Sequence, residues 1–254
     1  VMDLVADVMS RYGLITAFAI VGITVWVSYQ LSTRLTKGKL HGSAIAIMLG
    51  LLAAYVGGVV TGGARGIADI EVLAGIGLMG GGMLRDFAII ATAFGVNTRE
   101  LARAGAAGGI SLFAGVFVSF GIGAVVAYAF GYTDAVSMTT IGGGAATYIV
   151  GPVTGAAIGA SSDVIALSIA AGLIKSMLVM AGTPFVAPLI GLNNTRSAMI
   201  YGGLMGTTSG VAGGLAATDE RLVPYGAMTA TFYTGLGALL GPSVIFVAIR
   251  AIMG

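Results

Sequence analysis

The sequence predicts an all-α polytopic membrane protein of about eight to ten transmembrane or half-membrane helices, some of them interrupted. Three observations lead there. Of 254 residues, 57% are hydrophobic and only 9% are charged, where a soluble domain carries roughly 25% charged residues; the mean hydropathy is +1.01. The charges leave uncharged runs at 12–33, 40–64, 104–133, 135–162, 176–195, 197–218 and 222–249, each at least the ~20 residues that a helix needs to cross hydrocarbon. The apolar runs are continuous and lack the period of two of a membrane β-strand. The 43 glycines against 5 prolines suit closely packed or interrupted membrane helices.

Taken in order, the N-terminal VMDLVADVMSRYG has two acids before its first arginine. It lacks the basic start and cleavage site of a signal peptide, so the first helix is expected to be retained. Trp26 and Tyr29 close that helix as interfacial anchors. Arg34, Lys37 and Lys39 form the densest basic cluster, which places the 34–39 loop in the cytoplasm and the N-terminus outside. His41 abuts that loop and is read as a solvated interfacial side chain. The run 40–64 crosses outward. Loop 61–71 sets Arg65 against Asp69 and Glu71, which suits the far side. The stretch 72–98 is interrupted only by Arg85-Asp86 and is expected to cross at 72–94, returning Arg99 and Arg103 to the cytoplasm. After 104–133, orientation depends on whether 137–160 crosses or turns back. The run 164–195 is broken only by Lys175, read as snorkelling toward an interface. Stretches 197–218 and 222–249 complete a single integral membrane transport domain over 1–254.

The candidate halves of that domain are 1–130 and 131–254. Gly77-Leu78-Met79-Gly80 recurs as Gly203-Leu204-Met205-Gly206, and Ala91-Thr92 as Ala217-Thr218, both 126 residues later. Duplication is common in secondary transporters, whose sites lie at the repeat interface. Chance is the alternative in a chain so rich in these residues.

Two segments carry distinctive chemistry. The first, 134–163, contains Thr139-Thr140, glycines 142–144, Gly151-Pro152 and Ser161-Ser162-Asp163; Gly143, Thr147, Gly151, Gly155 and Gly159 recur every fourth residue. The second, 201–219, repeats that spacing at Gly202, Gly206, Gly210 and Gly214 around Thr207-Thr208-Ser209. Glycine at this spacing lets helices approach closely, and packing alone accounts for the glycines. Contiguous hydroxyls beside glycines point further, to unwound backbone, which membranes tolerate only inside protein or beside a water-filled cavity. Such breaks expose helix N-termini to anions and free carbonyls to cations. Thr139, Thr140, Ser161, Ser162, Thr207, Thr208 and Ser209 are therefore the candidate substrate contacts, with Thr147 as a candidate ion contact.

Charges inside apolar runs are costly, at least ~2.5–3.5 kcal/mol at the bilayer centre. Arg85 is a candidate anion contact and Asp86 a candidate cation site; a mutually neutralising pair, or a loop between half-spans, is the structural alternative. Asp163 follows two serines and precedes an apolar run, an N-cap arrangement; a sodium ligand is its alternative role.

Composition also excludes functions. Without cysteine, disulfides, thiolate metal sites and cysteine nucleophiles are ruled out. A single histidine builds no His-rich metal site, so no cofactor or transition metal is expected. A scattered net charge of +2 argues against nucleic-acid binding. An intramembrane serine protease fits poorly: Gly206-Thr207-Thr208-Ser209-Gly210 lacks a glycine two before the serine, and His41 lies at a basic loop.

The stretches HGSAIAIMLGLLAAYVGG (41–58), GIGLMGGGMLRDFAIIATAF (75–94), DAVSMTTIGGGAATYIVGPVTGAAIGASSDVIALSIA (134–170) and GLAATDERLVPYGAMTATFYTGLGALLGPS (214–243) resemble the M subunit of the bacterial two-component malonate:sodium symporter, MadM. The resemblance covers nearly the whole chain. It implies a multi-pass protein of the bacterial cytoplasmic (inner) membrane, surrounded by lipid and paired with a smaller membrane subunit like MadL, with a higher oligomer of the heterodimer as a further expectation. It implies secondary active import of malonate with sodium as coupling ion, and no enzyme activity. It carries no residue-level site. A small dianion needs positive potential and hydroxyl or amide donors, and sodium offsets its charge in a low-dielectric site. Alternating access follows if a bundle carrying 134–163 and 197–218 moves against a scaffold. The rival functions are a membrane subunit of a sodium-translocating decarboxylase and a passive anion channel.

Overall fold

The computed structural model describes residues 2–37, 40–63, 65–80, 83 and 98–253. Arg85, Asp86 and the Ala91-Thr92 echo lie outside the described residues. Among the described residues there are eleven α-helices and no strand, as an all-α membrane fold requires. Five segments are long and apolar enough to cross a membrane: Gly13–Thr36, Gly42–Thr61, Gly105–Ala129, Ser162–Val186 and Glu220–Met253. The chain divides into two compact units, Val1–Ala88 and Ile89–Gly254.

In the first unit, α1 (Met2–Arg11) leads into α2 (Gly13–Thr36), and α3 (Gly42–Thr61) returns beside it. The Ser32 hydroxyl donates to the Leu40 carbonyl at 2.6 Å and holds the connection closed. His41 caps α3, its Nδ1 accepting from the Ser43 amide, and stands edge-on to the Tyr29 ring at 5.3 Å. Trp26 is 65% exposed, but neither it nor Tyr29 closes the helix as expected, because α2 runs on to Thr36. Arg65 pairs with Asp69 at 3.0 Å. Most of the crossing expected at 72–94 lies outside the described residues; its first part, Glu71–Leu78, is a 3-10 helix.

The second unit contains α4 (Thr98–Ala129), α5 (Ala135–Ala146), α6 (Val150–Ile158), α7 (Ser162–Val186), α8 (Thr195–Met205), α9 (Thr208–Ala216), α10 (Val223–Leu240) and α11 (Phe246–Met253). A non-helical Gly105 separates the first turns of α4 from its crossing portion. A π-turn, Gly241–Ile245, joins α10 to α11 into one crossing helix. The surplus over the eight to ten helices expected arises where single uncharged runs are broken.

Those breaks decide the fold. Stretches 135–162 and 197–218 are each long enough to cross, yet neither does. Helix α5 stops at Ala146 and α6 begins at Val150, and the chain reverses between them. The reversal brings Gly143 against Gly151, whose Cα is 3.1 Å from where a side chain on 143 would begin, and Gly155 against Thr140. In one continuous helix Gly143 and Gly151 would lie roughly 12 Å apart. Likewise α8 stops at Met205 and α9 starts at Thr208; Thr183 of α7 meets both Tyr201 before the break and Gly214 after it. Both segments are therefore re-entrant helical hairpins. The glycine ladder predicted for one helix face instead faces its own returning leg and the crossing helices, where backbones approach closely.

The hairpins enter from opposite ends of α7. The open end of the first lies with Val164, Met138 and Ala124 at the start of α7. The open end of the second lies with Ala187, Leu192 and Leu222 beyond its other end. Between them, Val116, Phe120, Ala146, Val150 and Tyr233 form the middle layer, where the tips meet the crossing helices.

A repeat underlies this arrangement, with a step of sixty residues. Gly131 and Gly191 both take positive φ, at 92° and 65°. Asp134 and Asn194 both cap a helix, accepting from the Ser137 amide at 2.8 Å and the Ser197 amide at 3.0 Å. Gly142-Gly143 and Gly202-Gly203 follow, then Thr147 and Thr207 at the two tips. Each unit of this repeat is a crossing helix followed by a hairpin, and successive units run in opposite directions.

Candidate functional site

Each tip is organised by a threonine. Thr147, 2% exposed, leaves helical geometry and accepts from the Ile149 and Val150 amides, both at 3.1 Å, starting α6. Thr207, fully buried, accepts from the Gly210 amide and starts α9. The tip before Thr207 turns at Gly206, whose φ of 73° suits glycine. A side chain there would also collide with the Tyr233 ring.

Adjacent residues of α7 bind the two tips. The Lys175 ammonium donates to the Ala146 carbonyl at 2.9 Å, the C-terminal end of the first hairpin's entering leg. It also donates to the Ser119 hydroxyl of α4 at 3.1 Å and sits 5.4 Å from the Tyr233 ring centroid. The Ser176 and Thr207 hydroxyls share a short hydrogen bond. Tyr233, fully buried, touches both Lys175 and Gly206 and donates its hydroxyl to the Gly115 carbonyl at 3.1 Å. Five elements, α4, the two hairpins, α7 and α10, thus converge on one mid-depth point.

Lys175 corrects the reading from sequence. It lies about 20 Å along the helix axis from Ser162 and about 16 Å from Val186, too deep for its stem to reach either interface. It points inward, and no carboxylate pairs with it among the described residues; the ion pairs present there, such as Arg221 with Asp219 at 2.8 Å, lie at exposed ends. An inward cation at membrane depth, with no acid beside it among the described residues, is suited to an anion. Its ammonium has three donors, of which two are used. At the tip held by the neighbouring Ser176, the Thr208 and Ser209 amides open α9, where no helical carbonyl reaches them.

The other predicted residues fall in three places. Thr208 and Ser209 lie half-buried at the second tip with Thr207; the Thr208 hydroxyl is 3.5 Å from that of Thr231. Thr139 and Thr140 are fully buried on the entering leg of the first hairpin, and their hydroxyls donate back to the Ala135 and Val136 carbonyls at 2.6 and 2.8 Å. Those hydroxyls are spent on their own helix. Ser161, Ser162 and Asp163 are exposed at the start of α7, where Ser161 is the N-cap and Asp163 stands in the first turn. They are roughly 18 Å along the axis from Lys175. It is the tip of the 139–162 segment, at Ala146–Val150, that reaches the level of 207–209. Arg85 and Asp86 lie outside the described residues. Reading the sequence missed Lys175 as a site residue, together with Ser119, Ser176 and Tyr233. Its near-central place in an uncharged run was the available signal; the other three offer none before the fold is known.

Neither curated proteins nor solved structures give a significant match to this chain. A family profile does, across residues 5–253. With that profile spanning nearly all of it and five apolar segments long enough to cross a membrane, the chain belongs to the malonate/sodium symporter MadM subunit family.

Proposed function

We propose that this chain imports malonate together with sodium across the bacterial cytoplasmic membrane, acting with a smaller membrane subunit of the MadL kind. The observation that carries the reading is Lys175, held without an acidic partner among the described residues where both hairpin tips meet α7. Malonate carries two carboxylates and needs several donors at once. One carboxylate takes the third donor of the Lys175 ammonium. The other takes the Thr208 and Ser209 amides with the Ser209 hydroxyl, at the positive end of α9. Lys175 supplies one positive charge; a co-bound sodium ion supplies the second and so links the two solutes in a low-dielectric site. Because the hairpins open toward opposite ends of α7, loosening one while the other stays packed exposes the site to one side at a time.

The test is uptake in liposomes containing both subunits. Accumulation of labelled malonate against its gradient, driven by inward sodium, is expected. Downhill flux alone would instead identify a channel. Sodium movement that needs an attached decarboxylase would identify a pump subunit.

A further inference from the structure

Tyr233, in α10, is the largest fully buried side chain among the described residues. Its hydroxyl is accounted for: it donates to the Gly115 carbonyl of α4 at 3.1 Å, as a buried phenol requires. Its ring shares the apolar layer of Val116, Phe120, Ala146 and Val150. Filling that layer does not call for an aromatic residue, since aliphatic side chains of similar volume pack such places as well. The ring's further contacts are both with parts of the candidate site.

The Lys175 ammonium stands 5.4 Å from the ring centroid, inside the ~6 Å over which an aromatic face attracts a cation. At the second tip, a side chain on Gly206 would begin on top of three consecutive ring atoms, Cδ1, Cε1 and Cζ; the ring occupies the place that glycine leaves open. Gly206 immediately precedes Thr207, Thr208 and Ser209, whose backbone opens α9. Lys175 belongs to α7 and is bound to the first tip through Ala146, yet it rests on the same ring as the second tip. That ring is rigid, with two rotatable bonds, and is pinned at its hydroxyl end.

We infer that Tyr233 is a positioning residue of the malonate site: its ring sets the Lys175 ammonium and the second tip at a fixed spacing, so that the cation and the amide end of α9 receive the two carboxylates of one short dianion. The inference rests on the malonate reading above and names what decides the length of its substrate. Malonate joins its carboxylates through a single carbon, so the donors for both must stand close and hold still; misplacing such groups by about 1 Å is costly. The negative face of the ring also steadies the ammonium without neutralising it, as a carboxylate would. Tyr233 acts through these groups and needs no contact with malonate.

The experiment measures labelled malonate uptake by the complete two-subunit complex in membrane vesicles, with unlabelled succinate, one carbon longer, as competitor. Tyr233→Leu removes the ring. Half-saturating malonate should rise about five- to thirtyfold, the worth of a cation–π contact out of water, and the preference for malonate over succinate should fall about tenfold, the scale on which a pocket discriminates one methylene. Tyr233→Phe restores the ring and should restore both values. Phenylalanines carrying successive ring fluorines at 233 keep the shape while draining the negative face, so half-saturating malonate should climb along the series in protein that folds normally. In a Lys175→Gln background no charge remains to be seated, and Tyr233→Leu should raise half-saturating malonate far less than in the unaltered protein. A flat fluorine series, an unchanged preference for malonate in Tyr233→Leu, or losses from Lys175→Gln and Tyr233→Leu that simply add would each overturn the inference and leave Tyr233 as packing alone. No malonate uptake by the unaltered complex would overturn the malonate reading itself.

Discussion

Replacing Lys175 by glutamine separates its two roles. Two of its three donors serve the fold, one to Ala146 and one to Ser119. A glutamine amide also has two donors and no charge. Lys175→Gln can therefore keep both internal bonds while removing the charge and the third donor. A hydrogen bond to a charged group is worth about 1.5–3 kcal/mol, which corresponds to roughly ten- to a hundredfold in affinity. Half-saturating malonate should rise by that factor in vesicles carrying both subunits, with membrane expression unchanged. Lys175→Met removes the internal donors as well and leaves the Ala146 carbonyl and Ser119 hydroxyl unsatisfied, at about 1–3 kcal/mol. It should lower the melting temperature of purified complex by roughly 2–4 °C for each kcal/mol lost. A glutamine variant with malonate half-saturation within about twofold of the unaltered protein, well under 1 kcal/mol, would refute the argument and make Lys175 a structural link alone.

Further outcomes test other parts of the scheme. Gly206→Ala forces a left-handed residue and drives a methyl into the Tyr233 ring, so folded protein recovered from membranes should fall sharply, whereas Gly121→Ala, which meets nothing within 4 Å, should leave yield unchanged; equal yields would undo the tip packing. Alanine at Ser161, Ser162 and Asp163, exposed far from the tips, should leave malonate half-saturation within about twofold, and a tenfold rise would return them to the site. Single cysteines at Ser162 and Asp219 should react with an impermeant reagent from opposite sides of the membrane, against a background free of native cysteine; labelling from one side would rule out oppositely directed hairpins. The same reagent should reach the 34–39 loop only from the cytoplasmic side, and its labelling from outside intact cells would reverse the orientation taken from the Lys/Arg bias.

The helical membrane fold was legible because its signal is compositional. A run of twenty uncharged apolar residues has few alternatives to a helix, and α2, α3 and the crossing portion of α4 sit where such runs do. The hairpins were not legible for the same reason. Runs 135–162 and 197–218 meet the length criterion for crossing, and nothing in hydropathy marks a reversal. Reversal follows from local chemistry: Thr147 and Thr207 capture the first amides of the returning legs, and the preceding helices end without a continuing donor pattern. The hydroxyl clusters pointed to both breaks, yet clustering alone does not separate a tip residue such as Thr207 from Thr139, whose hydroxyl is consumed by the turn before it. The echo at 126 residues drew attention from the step of sixty, which rests on spaced single residues in capping and turn positions and becomes plain only once Asp134 and Asn194 are seen doing the same work.

That inverted repeat explains why a lone cation is tolerable at membrane depth. Reversed hairpins of equal length bring unlike helix ends to one level. The first tip presents the carbonyl end of its entering leg, at Ala146; the second presents the amide end of its returning leg, at Thr208 and Ser209. Carbonyl ends favour cations and amide ends favour anions. The first stabilises Lys175 with no carboxylate beside it among the described residues, which on the proposed reading leaves its third donor for an anion drawn by the second. Had an acid neutralised it, the lysine would be easier to bury but of no use to malonate. Its neighbour Ser176 ties the opposite tip through Thr207, so two consecutive residues of α7 hold both hairpins. On the proposed reading, an anion bound between them takes the third donor of the ammonium and leaves its bonds to Ala146 and Ser119 in place.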